Sequence, residues 1–261
     1  MRLDNYLVIN KYFLTRNKAQ QAIKSNRIKV NGNIINKSGY EISDIDYVEV
    51  ISIEYEFVSR GGYKLLKAIK TFNLDFSNKI VLDLGASTGG FTDCSLKFNA
   101  KKVYAIDVGS NQLDESLRHN PNVISIENTN AKDLLKNDYL DIDYIVMDLS
   151  FISITKLIPK LNELMNDNCL LVVLIKPQFE VENTNINKNG LVKNKDVHFD
   201  VIKRIINSFK ESNIYINNLT FSPLKGEKSG NIEYLALFSK INNNISINIK
   251  DIINQAYNEM I

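Results

Sequence analysis

The stretch from Val81 to Asp93 (Val-Leu-Asp-Leu-Gly-Ala-Ser-Thr-Gly-Gly-Phe-Thr-Asp) restricts the fold more than any other part of the chain. Apolar β-formers lead into an acid, then a loop of glycine and small residues, then a helical pattern through Cys94, Leu96 and Phe98. A strand, a glycine loop and a helix in that order form the first unit of a nucleotide-binding α/β domain. The glycines run Gly85-x-x-x-Gly89-Gly90, not in the Gly-x-Gly-x-x-Gly spacing that cradles a pyrophosphate on helix N–H groups. Such a loop suits a cofactor without phosphate, S-adenosylmethionine, whose amino-acid and ribose parts need only close approach of backbone. A second strand from Lys102 to Ile106 runs into Asp107, where a carboxylate can accept hydrogen bonds from both ribose hydroxyls.

Downstream, strand and helix patterns alternate, which predicts a mostly parallel sheet with helices on both faces. Strands are expected at Val123–Ile126, Tyr144–Met147 and Leu170–Ile175, with Pro177 ending the last ladder. Helices are expected over Leu113–Leu117, through Leu157, Leu161 and Leu164, and through Val201, Ile205, Ile206 and Phe209. The polar stretch from Glu182 to Asp196, with Gly190 inside it, reads as a long flexible loop. A final strand pair follows, its second member opening with Gly230-Asn231-Ile232-Glu233-Tyr234, and the tail carries Ile249, Ile252, Ile253 and Tyr257 at helical spacing. Three of these segments leave a charge where open α/β sheets bind ligands: Asp148, Lys176 and Glu233. Lys64 opens a helix marked by Leu65, Leu66, Ile69 and Phe72, an unfavourable place for a cation unless a carboxylate is near. Two lysines and two carboxylates make a balanced cluster, in which a lysine can give up its proton and take one from a hydroxyl. After the third strand, Asn130 is the candidate for an adenine edge and Asp133 the alternative.

The formal net charge of +2 leaves any affinity for a polyanion to local clustering. That clustering lies at the start of the chain. Up to Tyr40, eight cations face Asp4 alone; from Glu41 to Phe57 there are six acids and no cation. This asymmetry points to a basic face turned towards nucleic acid. Helical stripes at Leu3, Tyr6 and Leu7 and at Ala19, Ala22 and Ile23 precede two short strands joined by Asn31-Gly32, a hairpin signal, and Val48–Val50 closes the unit. The expected organisation is a domain over 1–57, a linker over 58–62 and a second domain over 63–261. Neither Cys94 nor Cys169 has a close partner, which suits free thiols in a reducing compartment. The start lacks the apolar core of a signal peptide, and the longest apolar run, Cys169–Ile175, is too short to span a bilayer. A cytoplasmic protein is expected.

Several stretches carry a resemblance. Arg2-Leu3-Asp4, Thr15-Arg16-Asn17-Lys18-Ala19, Ile28-Lys29-Val30-Asn31-Gly32 and Asp46-Tyr47-Val48-Glu49-Val50 resemble the S-four-type (alpha-L) RNA-binding module. Ser59-Arg60-Gly61-Gly62, the loop Gly85–Asp93, Asp148-Leu149-Ser150-Phe151-Ile152-Ser153, Leu174–Glu180 and Gly230–Tyr234 are similar to the TlyA family, which fuses that module to an FtsJ-like methyltransferase. The resemblance implies a Rossmann-like class I methyltransferase sheet with helices on both faces, preceded by a small α+β alpha-L domain. It implies S-adenosylmethionine-dependent 2'-O-methylation of cytidine in ribosomal RNA, with ribosomal RNA or ribosomal subunits as partner. Lys64, Asp148, Lys176 and Glu233 then match the family's Lys-Asp-Lys-Glu set. Lys176 would be the proton acceptor, Asp148 and Glu233 its orienting groups, and Lys64 the residue that steadies the attacking oxygen. Asp83, Gly85, Ala86, Ser87, Thr88, Gly89, Gly90, Phe91, Asp107, Val108, Asn130 and Asp148 are the expected cofactor contacts. Arg2, Arg16, Lys18, Arg27, Lys29 and Arg60 are the expected RNA contacts.

Two other readings compete: a non-catalytic RNA-binding assembly factor that keeps the fold, and a membrane-active haemolysin, a label this family also carries. The intact charged set stands against the first and the lack of an apolar span against the second. A pseudouridine synthase on the same module would leave the glycine loop without a role. Tyr63, Phe151 and Phe179 could stack a splayed base, with core packing as the competing role. His198 is expected to be a partly exposed helix residue and His119 a solvent-facing turn residue. No His/Cys cluster has ligand spacing, so no metal is expected.

Overall fold

In the computed structural model, which describes residues 1–43, 45–51, 54–139, 141–181, 186–226 and 230–260, the chain divides into two units, Met1–Glu56 and Phe57–Ile261. The smaller unit pairs helices α1 (Leu3–Ile9) and α2 (Arg16–Lys24) with a sheet of β1 (Ile28–Val30), β2 (Asn33–Ile34) and β3 (Val48–Val50), β1 lying between the other two and antiparallel to both. Thr15 starts α2 by accepting the Lys18 N–H on its side chain. Asn31 and Gly32 both take positive φ, 51° and 80°, as a two-residue hairpin turn requires. Leu3, Leu7, Ala19, Ile23, Ile28 and Val30 form the core.

The larger unit runs α3 (Gly61–Phe72), β4 (Ile80–Leu84), α4 (Gly90–Lys97), β5 (Lys102–Ile106), α5 (Glu115–Arg118), β6 (Val123–Ile126), β7 (Tyr144–Met147), α6 (Ile158–Leu164), β8 (Leu170–Ile175), α7 (Lys195–Glu211), β9 (Tyr215–Phe221), β10 (Tyr234–Ser239) and α8 (Ile249–Met260). Its sheet has the order β6-β5-β4-β7-β8-β10-β9. The pairs from β6 across to β8 are parallel, and β10 is antiparallel to both neighbours. Burial on both faces explains why β8 reads as an unbroken apolar run. The strand order reverses between β4 and β7, which opens a crevice at their carboxyl ends.

Four expectations need correction. Residues 58–62 are built into the larger unit: the Val58 N–H donates to Asp93 Oδ2 at 2.8 Å, and Gly61 and Gly62 open α3. The short helix starts at Glu115 because Asp114 caps it, accepting from the Ser116 N–H, which leaves Leu113 outside. The loop before α7, of which 182–185 lie outside the described residues, is strapped down over 187–192. Asn231 accepts from the Val192 N–H (2.8 Å) and donates to the Gly190 carbonyl (2.7 Å). His198 is fully buried, sharing a helix face with Val201, Ile202, Ile205 and Phe209. Its ring nitrogens sit 2.7 Å from the Tyr234 hydroxyl and 2.9 Å from the Val192 carbonyl, and burial holds its pKa below the usual histidine range. The tail helix α8 buries Ile253 and Ala256 and packs on α7 and β9.

Candidate active site

Lys64, Asp148, Lys176 and Glu233 converge at the carboxyl edge of the sheet. Lys64 comes from the first turn of α3, Asp148 and Lys176 directly follow β7 and β8, and Glu233 directly precedes β10. Lys64 Nζ donates to Glu233 Oε2 at 2.7 Å and lies 3.8 Å from Asp148 Oδ2. Lys176 Nζ lies 2.6 Å from Asp148 Oδ1 and donates to Ser150 Oγ at 2.7 Å. Asp148 thus bridges the two ammonium groups. All four side chains are largely buried, and two positive charges against two negative ones meet the condition for tolerating that. Lys64 has two carboxylates in reach; Lys176 has one carboxylate and one neutral hydroxyl. Gln178 Nε2 adds a long hydrogen bond to Glu233 Oε1 at 3.4 Å.

The glycine loop borders this cluster. Gly85 has a φ of 85°, and a Cβ there would lie 2.8 Å from the Asp148 carbonyl oxygen, so only glycine lets β4 and β7 end this close together. The Gly85 and Ala86 N–H groups bond to the Ile106 carbonyl, and the Ser87 N–H donates to Asp107 Oδ2 at 2.8 Å. Gly109 N–H donates to Asp107 Oδ1 at 2.7 Å, which leaves each carboxylate oxygen with acceptor capacity to spare. Ser87 and Thr88 are exposed at the loop tip, whereas Ala86, Gly89, Gly90 and Phe91 are buried. Gly90 receives α3: a Cβ on it would sit 2.4 Å from Ser59 Oγ and 2.8 Å from the Gly62 nitrogen. That close approach sets the first turn of α3, and with it Lys64.

Asp83 lies beneath the loop, fully buried, accepting a 2.6 Å hydrogen bond from Thr92 Oγ1. Burial, with the Asp148 carboxylate adding to it, pushes the Asp83 carboxyl up to about 7. Its Oδ1 has no hydrogen-bond partner among the described residues. Asp83 therefore braces the loop against α4 from below. Val108 is exposed beyond β5. Asn130 and Asp133 both stand exposed on the turn after β6, which the Thr129 N–H ties to the Asp107 carbonyl; Asn130 Oδ1 accepts the Lys132 N–H.

Residues 57–240 match the family described as FtsJ-like methyltransferase, and residues 1–46 match the S4 domain. The chain belongs to the FtsJ-like methyltransferase family. It is 45% identical over 240 residues to hemolysin A of Brachyspira hyodysenteriae, covering 91% of this chain and 99% of the relative. It is 34% identical to the 16S/23S rRNA (cytidine-2'-O)-methyltransferase TlyA of Mycobacterium tuberculosis, over 89% of this chain and 87% of the relative. A solved structure from Streptococcus thermophilus that carries a hemolysin name superposes with a TM-score of 0.77 at 35% identity, over 99% of this chain and 96% of that one. Among the described residues no helix is long and apolar enough to cross a membrane, and no group of His, Cys, Asp and Glu could hold a metal ion.

Around this cluster, the structure separates the three aromatic candidates and gives Ser150 and Glu180 partners that motif reading passed over. Phe151 is 83% exposed and holds a φ of 65°, a conformation that costs a bulky residue about 1–3 kcal/mol. Its ring centroid lies 5.0 Å from that of half-buried Phe179, whereas Tyr63 packs edge-on against Phe57. Glu180 locks the two strand-end loops together, accepting from Ser153 Oγ (2.6 Å) and the Ile154 N–H (2.8 Å). Its burial raises its pKa. Ser150 and Glu180 lack a periodic or glycine signal; only the fold shows their partners.

In the smaller unit the expected RNA contacts separate into two groups. Buried Asp4 binds the Arg2 guanidinium through Nε and Nη2 (3.1 and 3.0 Å), Arg16 Nε (3.0 Å) and Gln20 Nε2 (2.7 Å). Arg2 and Arg16 remain about half exposed, and the Arg2 bond leads the causes that hold the Asp4 carboxyl well below the usual carboxylate range. Lys18 is exposed, and Lys29 lies 3.7 Å from Glu49. Arg27 departs from expectation: its side chain is 15% exposed, engaged with the Ile51 carbonyl and Glu56 and stacked over Phe13, so it serves the unit's interior. Arg60, in the larger unit, is exposed and donates to the Lys225 carbonyl at 3.3 Å.

Proposed function

We propose that this chain transfers a methyl group from S-adenosylmethionine to the ribose 2'-oxygen of cytidine in ribosomal RNA. The observation that carries this reading is the convergence of Lys64, Asp148, Lys176 and Glu233 beside the glycine loop. The identity to the M. tuberculosis enzyme supports the substrate class. The crevice chemistry fits the cofactor: Asp107 keeps acceptor capacity for a ribose diol, and the backbone around Gly85 admits no side chain. Residues 85–90, Asp107, Val108, Asp148 and either Asn130 or Asp133 would hold S-adenosylmethionine, which when bound supplies a methyl group on a sulfonium centre.

The chain's own groups do the rest. A ribose hydroxyl is a poor nucleophile at neutral pH, and Lys176, neutral at the moment of attack, takes its proton. Asp148 orients Lys176 from one side and holds Lys64 from the other. Glu233 fixes Lys64, whose charge steadies the oxygen as it loses its proton. Phe151 and Phe179 offer aromatic faces beside Lys176 for an unstacked base. Arg2, Arg16, Lys18 and Lys29 supply phosphate contacts from the smaller unit. A membrane-lytic role finds little support: the apolar face of α8 is used inside the fold.

The test is transfer of labelled methyl to ribosomal subunits, with the modified nucleotide mapped by 2'-O-methyl-sensitive sequencing. Lys176→Ala should lower the rate by a factor of about 10²–10⁴ with RNA affinity unchanged within twofold. Wild-type turnover in that variant, or methylation mapped to a base atom, would refute the reading.

A further inference from the structure

We propose that Ser150 is a positioning residue for Lys176, aiming the lone pair of its neutral amine at the acceptor hydroxyl. The proposal deepens the reading of Lys176 as proton acceptor and rests on it. A neutral amine has two N–H bonds and one lone pair in tetrahedral arrangement. Lys176 Nζ donates a hydrogen bond to Ser150 Oγ at 2.7 Å, while its 2.6 Å approach to Asp148 Oδ1 is an ion-pair contact and Oδ1 makes no hydrogen bond among the described residues. With one N–H held by Ser150 and the Asp148 carboxylate close on another side, the directions left to the lone pair narrow, and a proton taken from a hydroxyl arrives along one of them.

The choice of a hydroxyl matters as much as its place. Lys64 is flanked by two carboxylates, which suits a residue that stays charged. Ser150 holds Lys176 at the same 2.7 Å that separates Lys64 from Glu233, through a neutral acceptor that adds no second negative charge. The backbone is arranged for this contact. Asp148 N–H bonds to the Leu84 carbonyl at one end of the turn, and Glu180 accepts from Ser153 and Ile154 at the other. Between these anchors Phe151 is forced into its left-handed conformation. Ser150 contacts Lys176 while the next side chain lies against Phe179. A strained residue next to a catalytic contact persists only where the surroundings over-determine it.

The experiment compares wild type, Ser150→Ala, Ser150→Thr and Lys176→Ala in steady-state methylation of ribosomal subunits, with S-adenosylmethionine affinity measured by calorimetry. Ser150 is exposed, so neither substitution disturbs the core. Ser150→Ala should lower kcat by roughly ten- to a hundredfold, the scale of a lost orientation. KM for RNA and the affinity for S-adenosylmethionine should stay within twofold, and Ser150→Thr should recover kcat to within a few-fold of wild type. An unchanged kcat in Ser150→Ala, or a threonine variant no better than alanine, overturns the proposal while an inactive Lys176→Ala leaves the base assignment standing. An active Lys176→Ala overturns both.

Discussion

Replacing Asp83 by Asn should abolish a pH dependence built into the larger unit. The folded chain keeps Asp83 protonated up to about pH 7, whereas the ordinary value is 3.8. Between those values the folded state binds a proton that the unfolded state has released, so the Asp83 contribution to stability is fully present below pH 4 and is lost as pH rises through 7. At about 1.4 kcal/mol per pKa unit, the three-unit shift is worth about 4 kcal/mol, of which about 2.6 kcal/mol is lost between pH 5 and pH 8. Asn has the same shape and does not titrate. Its amide oxygen can accept from Thr92, and its NH₂ then occupies the position where Oδ1 has no partner, at a cost of about 1–3 kcal/mol that is the same at every pH. The measurement is the urea midpoint of the larger unit's transition, for wild type and variant, at pH 5 and pH 8. With a denaturant slope of about 3 kcal/mol per molar, the variant should gain about 1 M relative to wild type across that interval. Parallel midpoints at the two pH values would show that Asp83 is ionised in the fold and that burial does not control it.

Other outcomes follow from the same geometry. Arg16→Ala with Lys18→Ala should weaken RNA binding and reduce the slope of log affinity against log salt by roughly 1.5–2, read from filter binding at several salt concentrations. Asp4→Ala leaves two half-exposed guanidinium groups without their shared acceptor and should destabilise the smaller unit by about 1–2 kcal/mol, visible as an earlier first transition in calorimetry. Because the Asp4 carboxyl is held below its unfolded value, that contribution is present above pH 4 and fades as pH falls, so wild type and variant should converge in acid. Gly90→Ala places a Cβ against Ser59 and Gly62 and should displace the first turn of α3. Methyl transfer should then fall at least tenfold while RNA binding by residues 1–56 is kept, as a gel-shift assay would show.

The frame of the molecule was readable because its signals are local and periodic. The glycine loop, the apolar run of β8 and the hairpin at Asn31-Gly32 each announce themselves within a few residues. The four charged groups were readable because each stands at a strand end or a helix start, positions that topology gathers at one edge. Arg27 was misplaced because its partners, the Ile51 carbonyl and Glu56, lie more than twenty residues away. His198 is a different case. Its spacing to Val201, Ile202, Ile205 and Phe209 puts it on the buried stripe of α7, so the signal was present and its polarity obscured it. Ser150 and Glu180 act across two loops that meet only in the folded chain, and no spacing rule brings residue 150 to 176 or 153 to 180.

Because β10 runs against its neighbours, Glu233 reaches the shared edge from the start of a strand, whereas Asp148 and Lys176 reach it from the ends of theirs. β10 also emerges after both β8 and β9 during synthesis, yet it inserts between them. A nascent chain that stops before residue 233 would hold two lysines around a single aspartate and leave β8 as an unpaired edge. Completion of the charged cluster and closure of that sticky margin therefore coincide with the insertion of β10.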